Sequence, residues 1–111
     1  MKAASVAVDA GGAAHIAHFE GDLDIAAVPA LQREVLAATD GAQLVVLDLS
    51  DVGWLDSSGL RMLDDLVRAY EGRGAAARIV APSDVPARFT LDLSAWRPEL
   101  VVGRMSDALA R

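Results

Sequence analysis

The sequence predicts an α/β domain: one mixed β-sheet with helices packed chiefly on one side. Three observations predict it. The run Leu44-Val45-Val46-Leu47-Asp48-Leu49 is nearly all apolar, as in a strand covered on both faces. Leu60, Leu63, Leu66, Val67 and Tyr70 follow at helical spacing, and Ala76 to Ala81 is again strand-like, so the segment reads as a strand–helix–strand crossover. Ahead of it, two short strand-like runs flank Asp9-Ala10-Gly11-Gly12, the composition of a hairpin turn.

Taken in order, Ser5 to Val8 is the first strand and Ala13 to Phe19 the second. Glu20-Gly21-Asp22-Leu23-Asp24 is an acidic turn. A helix is predicted over Val28 to Thr39. Pro29 suits its first turn, where a missing amide costs nothing, and Leu31, Val35 and Ala38 are spaced for one buried face. Asp40-Gly41 ends it at a glycine C-cap. Gln43 to Leu49 is the central strand. A second helix runs from about Ser58 to Glu71, with Arg61–Asp65 and Asp64–Arg68 spaced to pair along it, and Gly72-Arg73-Gly74 closes it. After the strand at Ala76 to Ala81, Pro82 to Pro86 opens a third helical segment reaching about Leu91. Leu93 to Pro98 is irregular, Glu99 to Val102 is a last short strand, and Ser106 to Arg111 forms a short closing helix. The pattern is β-β-α-β-α-β-α-β-α, without repeat, linker or low-complexity segment.

Composition narrows the function. The 111 residues suit one domain, and 53% hydrophobic against 23% charged residues supports a packed core rather than disorder. A net charge of −6 argues against binding nucleic acid through a basic face. The absence of cysteine excludes disulfides, thiolate metal sites and cysteine nucleophiles. No signal peptide and no membrane-spanning run are evident, so a cytoplasmic protein is expected, with no direct membrane insertion.

The chemistry-bearing stretch is Val52-Gly53-Trp54-Leu55-Asp56-Ser57-Ser58-Gly59-Leu60. It places two hydroxyls where a strand ends and a helix begins. Unpaired amides and the positive end of the helix dipole meet there, so a serine serves as N-cap. The same place tolerates a phosphate on that oxygen. Both readings, cap and phosphorylation switch, stand on the residues alone. Arg61 reads equally as an exposed contact or as one half of an i,i+4 pair. Trp54 reads as an exposed anchor or as packing, and Trp96 as packing. His15 and His18, three apart on a strand, face opposite sides and cannot share a metal; both are read as surface residues. No Gly-x-Ser-x-Gly elbow, phosphate-binding glycine loop or metal-ligand cluster is present. Asp48 has the position of a phospho-acceptor aspartate but lacks an evident acidic pocket and paired lysine. No enzyme activity and no cofactor are expected.

Asp56-Ser57-Ser58-Gly59-Leu60, reached after Leu44-Val45-Val46-Leu47-Asp48-Leu49-Ser50, resembles the signature of STAS domains and in particular of the bacterial anti-sigma factor antagonists. Glu20-Gly21-Asp22-Leu23-Asp24 is similar to the family's acidic loop after the second strand. The resemblance covers essentially the whole chain, 1–111, and is sharp in these two motifs. It implies partner switching. Such an antagonist binds an anti-sigma factor that is also a serine kinase, which frees the sigma factor. The kinase phosphorylates the antagonist, the phosphorylated form lets go, and a serine phosphatase resets it. Carried over by motif position, Ser57 is the phosphorylated residue and Ser58 its supporting neighbour. Asp22, Asp24, Asp56, Ser57, Ser58, Gly59 and Arg61 form the expected partner-binding set. The alternatives are a STAS accessory subunit of a membrane lipid-transport ATPase complex, a subunit of a larger stress-signalling scaffold, and a small serine hydrolase acting through Ser57.

Overall fold

The structure, a computed structural model, describes residues 2–110. Five strands form one sheet in sequence order: β1 (Ser5–Asp9), β2 (Ala14–Leu23), β3 (Leu44–Leu55), β4 (Ala76–Val80) and β5 (Val101–Val102). β1 and β2 are the antiparallel hairpin; every later pairing is parallel. The connections are α1 (Val28–Ala38), α2 (Ser57–Gly72) and α3 (Pro86–Ser94), and α4 (Met105–Leu109) closes the chain. Parallel strands laid down in sequence order, with crossovers of one hand, put their helices on one face. The main core lies there: Val45, Leu47 and Leu49 of β3 pack with Leu31 and Val35 of α1 and with Met62, Leu63, Leu66 and Val67 of α2. Burying a side chain of this size contributes about 1.5–3 kcal/mol each. The opposite face carries a small cluster, Val46, Val80 and Ala108, under α4. The predicted mixed sheet with helices chiefly on one side is the observed architecture.

The last strand is shorter than expected, Val101–Val102, because Glu99 and Leu100 lie in a 3-10 turn opened by Pro98, and the elements depart from expectation in four other places, each for a physical reason. β3 does not stop at Leu49 but runs to Leu55. Its register against β2 slips twice, between His18 and Glu20 and between Gly21 and Asp22. Each slip inserts an extra β3 residue, a bulge that resets which side chains point inward. The inward set is therefore Val45, Leu47, Leu49, Val52 and Leu55, an irregular spacing that hides a strand from a period-two reading. β2 likewise continues through the expected acidic turn to Leu23. Gly21 permits this: its φ is +84°, and a Cβ there would run into the backbone carbonyl of Ala3, so the N-terminal segment packs directly on it. On α1, Ala38 is exposed and Thr39 takes the buried position. The Thr39 hydroxyl donates to Val35 O at 2.6 Å and lies 2.8 Å from the Tyr70 hydroxyl. α3 begins at Pro86 rather than Pro82 and extends to Ser94; each proline disfavours helix in the residue before it, and Pro86 itself suits a first turn. Trp96 is half-buried and donates Nε1–H to Asp64 at 3.0 Å, as its packing reading required. No described helix is long and apolar enough to cross a membrane.

Candidate functional site at the carboxyl ends of β2 and β3

β2 and β3 end side by side, with Asp22 opposite Trp54 and Leu23 opposite Leu55. Leu23 and Leu55 point into the core, and one residue later the chain enters α2. The link is Asp56, in extended conformation at φ −99° and ψ −171°. Its Oδ1 accepts from the backbone N–H groups of Ser58 at 2.8 Å and Gly59 at 3.1 Å. Asp56 is thus the N-cap, and its charge also suits the positive helix end. This corrects the expectation that Ser57 or Ser58 caps the helix. Because β3 extends to Leu55, Asp56 alone separates strand from helix, and both serines are already helical.

Freed from capping, Ser57 is exposed and Ser58 half-buried. The Ser57 hydroxyl makes no hydrogen bond to any described residue. Gly59 explains how the helix start comes so close to β2. A Cβ at this position would stand 2.5 Å from Leu55 Cδ1 and 2.8 Å from the Leu23 carbonyl oxygen. Leu23, at the end of β2, and the start of α2 are thereby held together, whereas Asp22 and Asp24 on either side of Leu23 line a separate hollow with Lys2, Ala3, Ala4, Ala26 and Ala27 rather than the groove beside Ser57.

The other predicted residues divide. Asp22 is half-buried, and its Oδ2 accepts from the Lys2 backbone N–H at 3.3 Å. Asp24 shapes the entry to α1: its Oδ1 accepts from Ala26 N and Ala27 N, each at 3.1 Å. Arg61 is exposed and, despite its i,i+4 spacing, forms no ion pair with Asp65, whereas Arg68 reaches Asp64 at 3.0 Å. Instead, Arg61 and Asp65 line an open groove of about 410 Å³ with Ser57, Ser58, Met62 and the α1 entrance residues Ile25, Val28 and Pro29. Sequence reasoning did not find Ile25, which is 75% exposed; an isoleucine in a polar turn was the available clue. Trp54 is exposed on the same edge.

His15 corrects a second expectation, while the His18 side chain is partly exposed as expected. His15 is buried, and its Nδ1 has no hydrogen-bond partner. Its phase with the inward Ala17 and Phe19 marks it as core-facing. His18 points to the other face, where Nδ1 lies 2.8 Å from Asp48 Oδ2. The other Asp48 oxygen accepts from Ser50 N at 3.1 Å and Ser50 Oγ at 2.6 Å. Asp48 is thus engaged within the sheet, and neither histidine bonds Ser57.

The family profile described as STAS domain matches residues 6–100. The chain belongs to the STAS domain family. An anti-sigma factor antagonist from Mycobacterium paratuberculosis is 25% identical, with a TM-score of 0.81 over 96% of this chain and 92% of that one. The Bacillus cell fate determinant SpoIIAA in its phosphorylated form superimposes with a TM-score of 0.71 at 14% identity, covering 93% of this chain and 94% of that one. The same fold occurs in the murine anion transporter Slc26a9, at 18% identity and a TM-score of 0.74, where 98% of this chain covers 22% of the transporter. No curated protein matches the sequence. The STAS chain described here is therefore structurally close to anti-sigma factor antagonists, and its fold also serves within a membrane transporter.

Proposed function

We propose that this STAS protein is a cytoplasmic anti-sigma factor antagonist that works by partner switching. It binds a serine-kinase anti-sigma factor and so releases a sigma factor. The kinase transfers the γ-phosphoryl group of ATP to Ser57 Oγ, the bound state is lost, and a serine phosphatase restores it. The observation that carries this reading is the Ser57 hydroxyl. It is exposed, free of hydrogen bonds to the described residues and beside an open groove, because Asp56 has taken over the capping that would otherwise occupy it. Asp22, Asp24, Asp56, Ser58, Gly59 and Arg61 surround or build that edge and form the proposed docking set. The likeness to the mycobacterial antagonist over nearly the full length of both chains supports the same reading. A phosphate adds about −1.5 to −2 charges to an edge already carrying Asp22, Asp24 and Asp56, so repulsion and bulk suffice to release the partner without refolding. A loss of about 3–4 kcal/mol corresponds to several hundredfold in affinity.

The test is capture from source-cell lysate on Ser57→Ala and Ser57→Glu baits side by side, read by mass spectrometry. Partner switching predicts a histidine-kinase-like ATPase retained by Ser57→Ala and weakened or lost on Ser57→Glu. Equal capture of a transport ATPase by both baits would replace this reading with that of an accessory transport subunit, for which the occurrence of the fold in Slc26a9 is the available support.

A further inference from the structure

We propose that Arg61 is the internal counter-ion for a phosphate on Ser57. The inference rests on the reading of Ser57 as the phosphorylated residue and adds how this chain accommodates the charge. A phosphate at a helix start is ordinarily held by free backbone amides. Here the amides of Ser58 and Gly59 are both donated to Asp56 Oδ1, and the Leu60 amide is bonded to Asp56 O at 2.9 Å. From Ser57 to Leu60, only the Ser57 amide is left without an acceptor among the described residues, and the others are engaged by a group of the same sign as the incoming phosphate. A side-chain cation beside Ser57 supplies what the engaged amides do not.

Arg61 is placed to be that cation. It lies four residues along α2 from Ser57, a separation that places Cβ atoms about 5–6 Å apart on one helix face, and both residues line the same groove. Its guanidinium is uncommitted. Lys2, Arg68, Arg73, Arg88, Arg97 and Arg104 each reach a carboxylate within ion-pair distance, and Arg78 donates to its neighbour's carbonyl. Among the described residues, Arg33 and Arg61 make no such contact, and Arg33 does not line the groove. The polarity of the helix also favours the pair. An acid placed N-terminal to a base at i,i+4 complements the dipole, so phosphoserine 57 with Arg61 has the favoured order, whereas Arg61 with Asp65 has the reverse. A planar guanidinium also binds phosphate oxygens in a fork that lysine does not reproduce. In the unphosphorylated protein Arg61 faces solvent beside the groove. In the phosphorylated protein it turns to Ser57 and is withdrawn from any partner.

The experiment uses the full chain with phosphoserine installed at position 57 during synthesis, as wild type, Arg61→Gln and Arg61→Lys, titrated by phosphorus NMR. The second phosphate ionisation ordinarily lies near about pH 6. Arg61→Gln is expected to raise it by about half a unit or more relative to wild type, with Arg61→Lys between the two. Identical midpoints in wild type and Arg61→Gln would overturn the proposal. Because no kinase is used, this measurement reads the ion pair whether or not Ser57 is a kinase target. Failure of the clamp and failure of partner switching are thus seen separately.

Discussion

A methyl group added at Gly59 would meet Leu55 Cδ1 at 2.5 Å and, more seriously, the Leu23 carbonyl oxygen at 2.8 Å. The leucine end can swing aside, but the backbone carbonyl cannot without moving β2. Alanine gains about 1 kcal/mol in helix propensity over glycine, and overpacking opposes it by about 1–3 kcal/mol. Gly59→Ala is therefore expected to lower stability by up to about 2 kcal/mol, read as a shift of the urea midpoint at constant slope. A midpoint raised by the propensity gain would mean that the α2 start slides freely off β2. Asp56→Ala is expected to cost about 1 kcal/mol through loss of the cap. The Asp-Ser-Ser-Gly motif was legible at this scale as a strand-to-helix junction. What stayed hidden was the division of labour inside it: three consecutive residues are all competent near a helix start, and the one that caps depends on where the preceding strand ends.

That end point belongs to the scale of elements. α2 was legible because its stripe, Leu60 to Tyr70, repeats without interruption over about three turns. β3 was legible only to Leu49, since two bulges break its alternation, and bulges arise from pairing with β2, which no local pattern encodes. Thr39 was missed for a related reason: its burial depends on a hydroxyl 31 positions away. Its own proton goes to Val35 O, so the Tyr70 hydroxyl donates to Thr39 Oγ1, joining the end of α1 to α2. Thr39→Val leaves the Tyr70 hydroxyl buried without an acceptor and is expected to cost about 1–3 kcal/mol. Tyr70→Phe leaves Thr39 bonded to Val35 and should cost less. Burial raises the Tyr70 pKa above its ordinary 10.0, with the Thr39 bond and the Arg73 charge opposing it. The folded protein thus holds this proton more tightly than the unfolded chain. Its contribution is fully present below pH 10.0 and is lost as pH rises through the folded-state value. Stability measured in urea should fall above about pH 10 in wild type, and less steeply in Tyr70→Phe. Equal slopes would show that another group governs the alkaline limb.

Across the whole molecule, a net charge of −6 is arranged so that Asp22, Asp24 and Asp56 gather at the carboxyl ends of β2 and β3, next to the apolar lip formed by Ile25, Val28 and Pro29. The two chemistries should separate kinetically on the proposed kinase partner. Exposed charge acts at a distance and steers encounter, so it governs the association rate and its salt dependence. Apolar contact forms only on docking and governs dissociation. Asp24 allows a clean separation of charge from structure, because an amide oxygen can still accept from Ala26 N and Ala27 N as Asp24 Oδ1 does. Asp24→Asn is expected to slow association about two- to fivefold at low ionic strength and to flatten its salt dependence, leaving dissociation nearly unchanged. Ile25→Ala should do the opposite, raising the dissociation rate about tenfold, equivalent to about 1.4 kcal/mol, at an unchanged association rate. Surface plasmon resonance of both variants over a salt series measures each rate directly. If Asp24→Asn alters only dissociation, its carboxylate touches the partner rather than guiding it. If Ile25→Ala alters neither rate, the groove beside Ser57 is not where the partner sits.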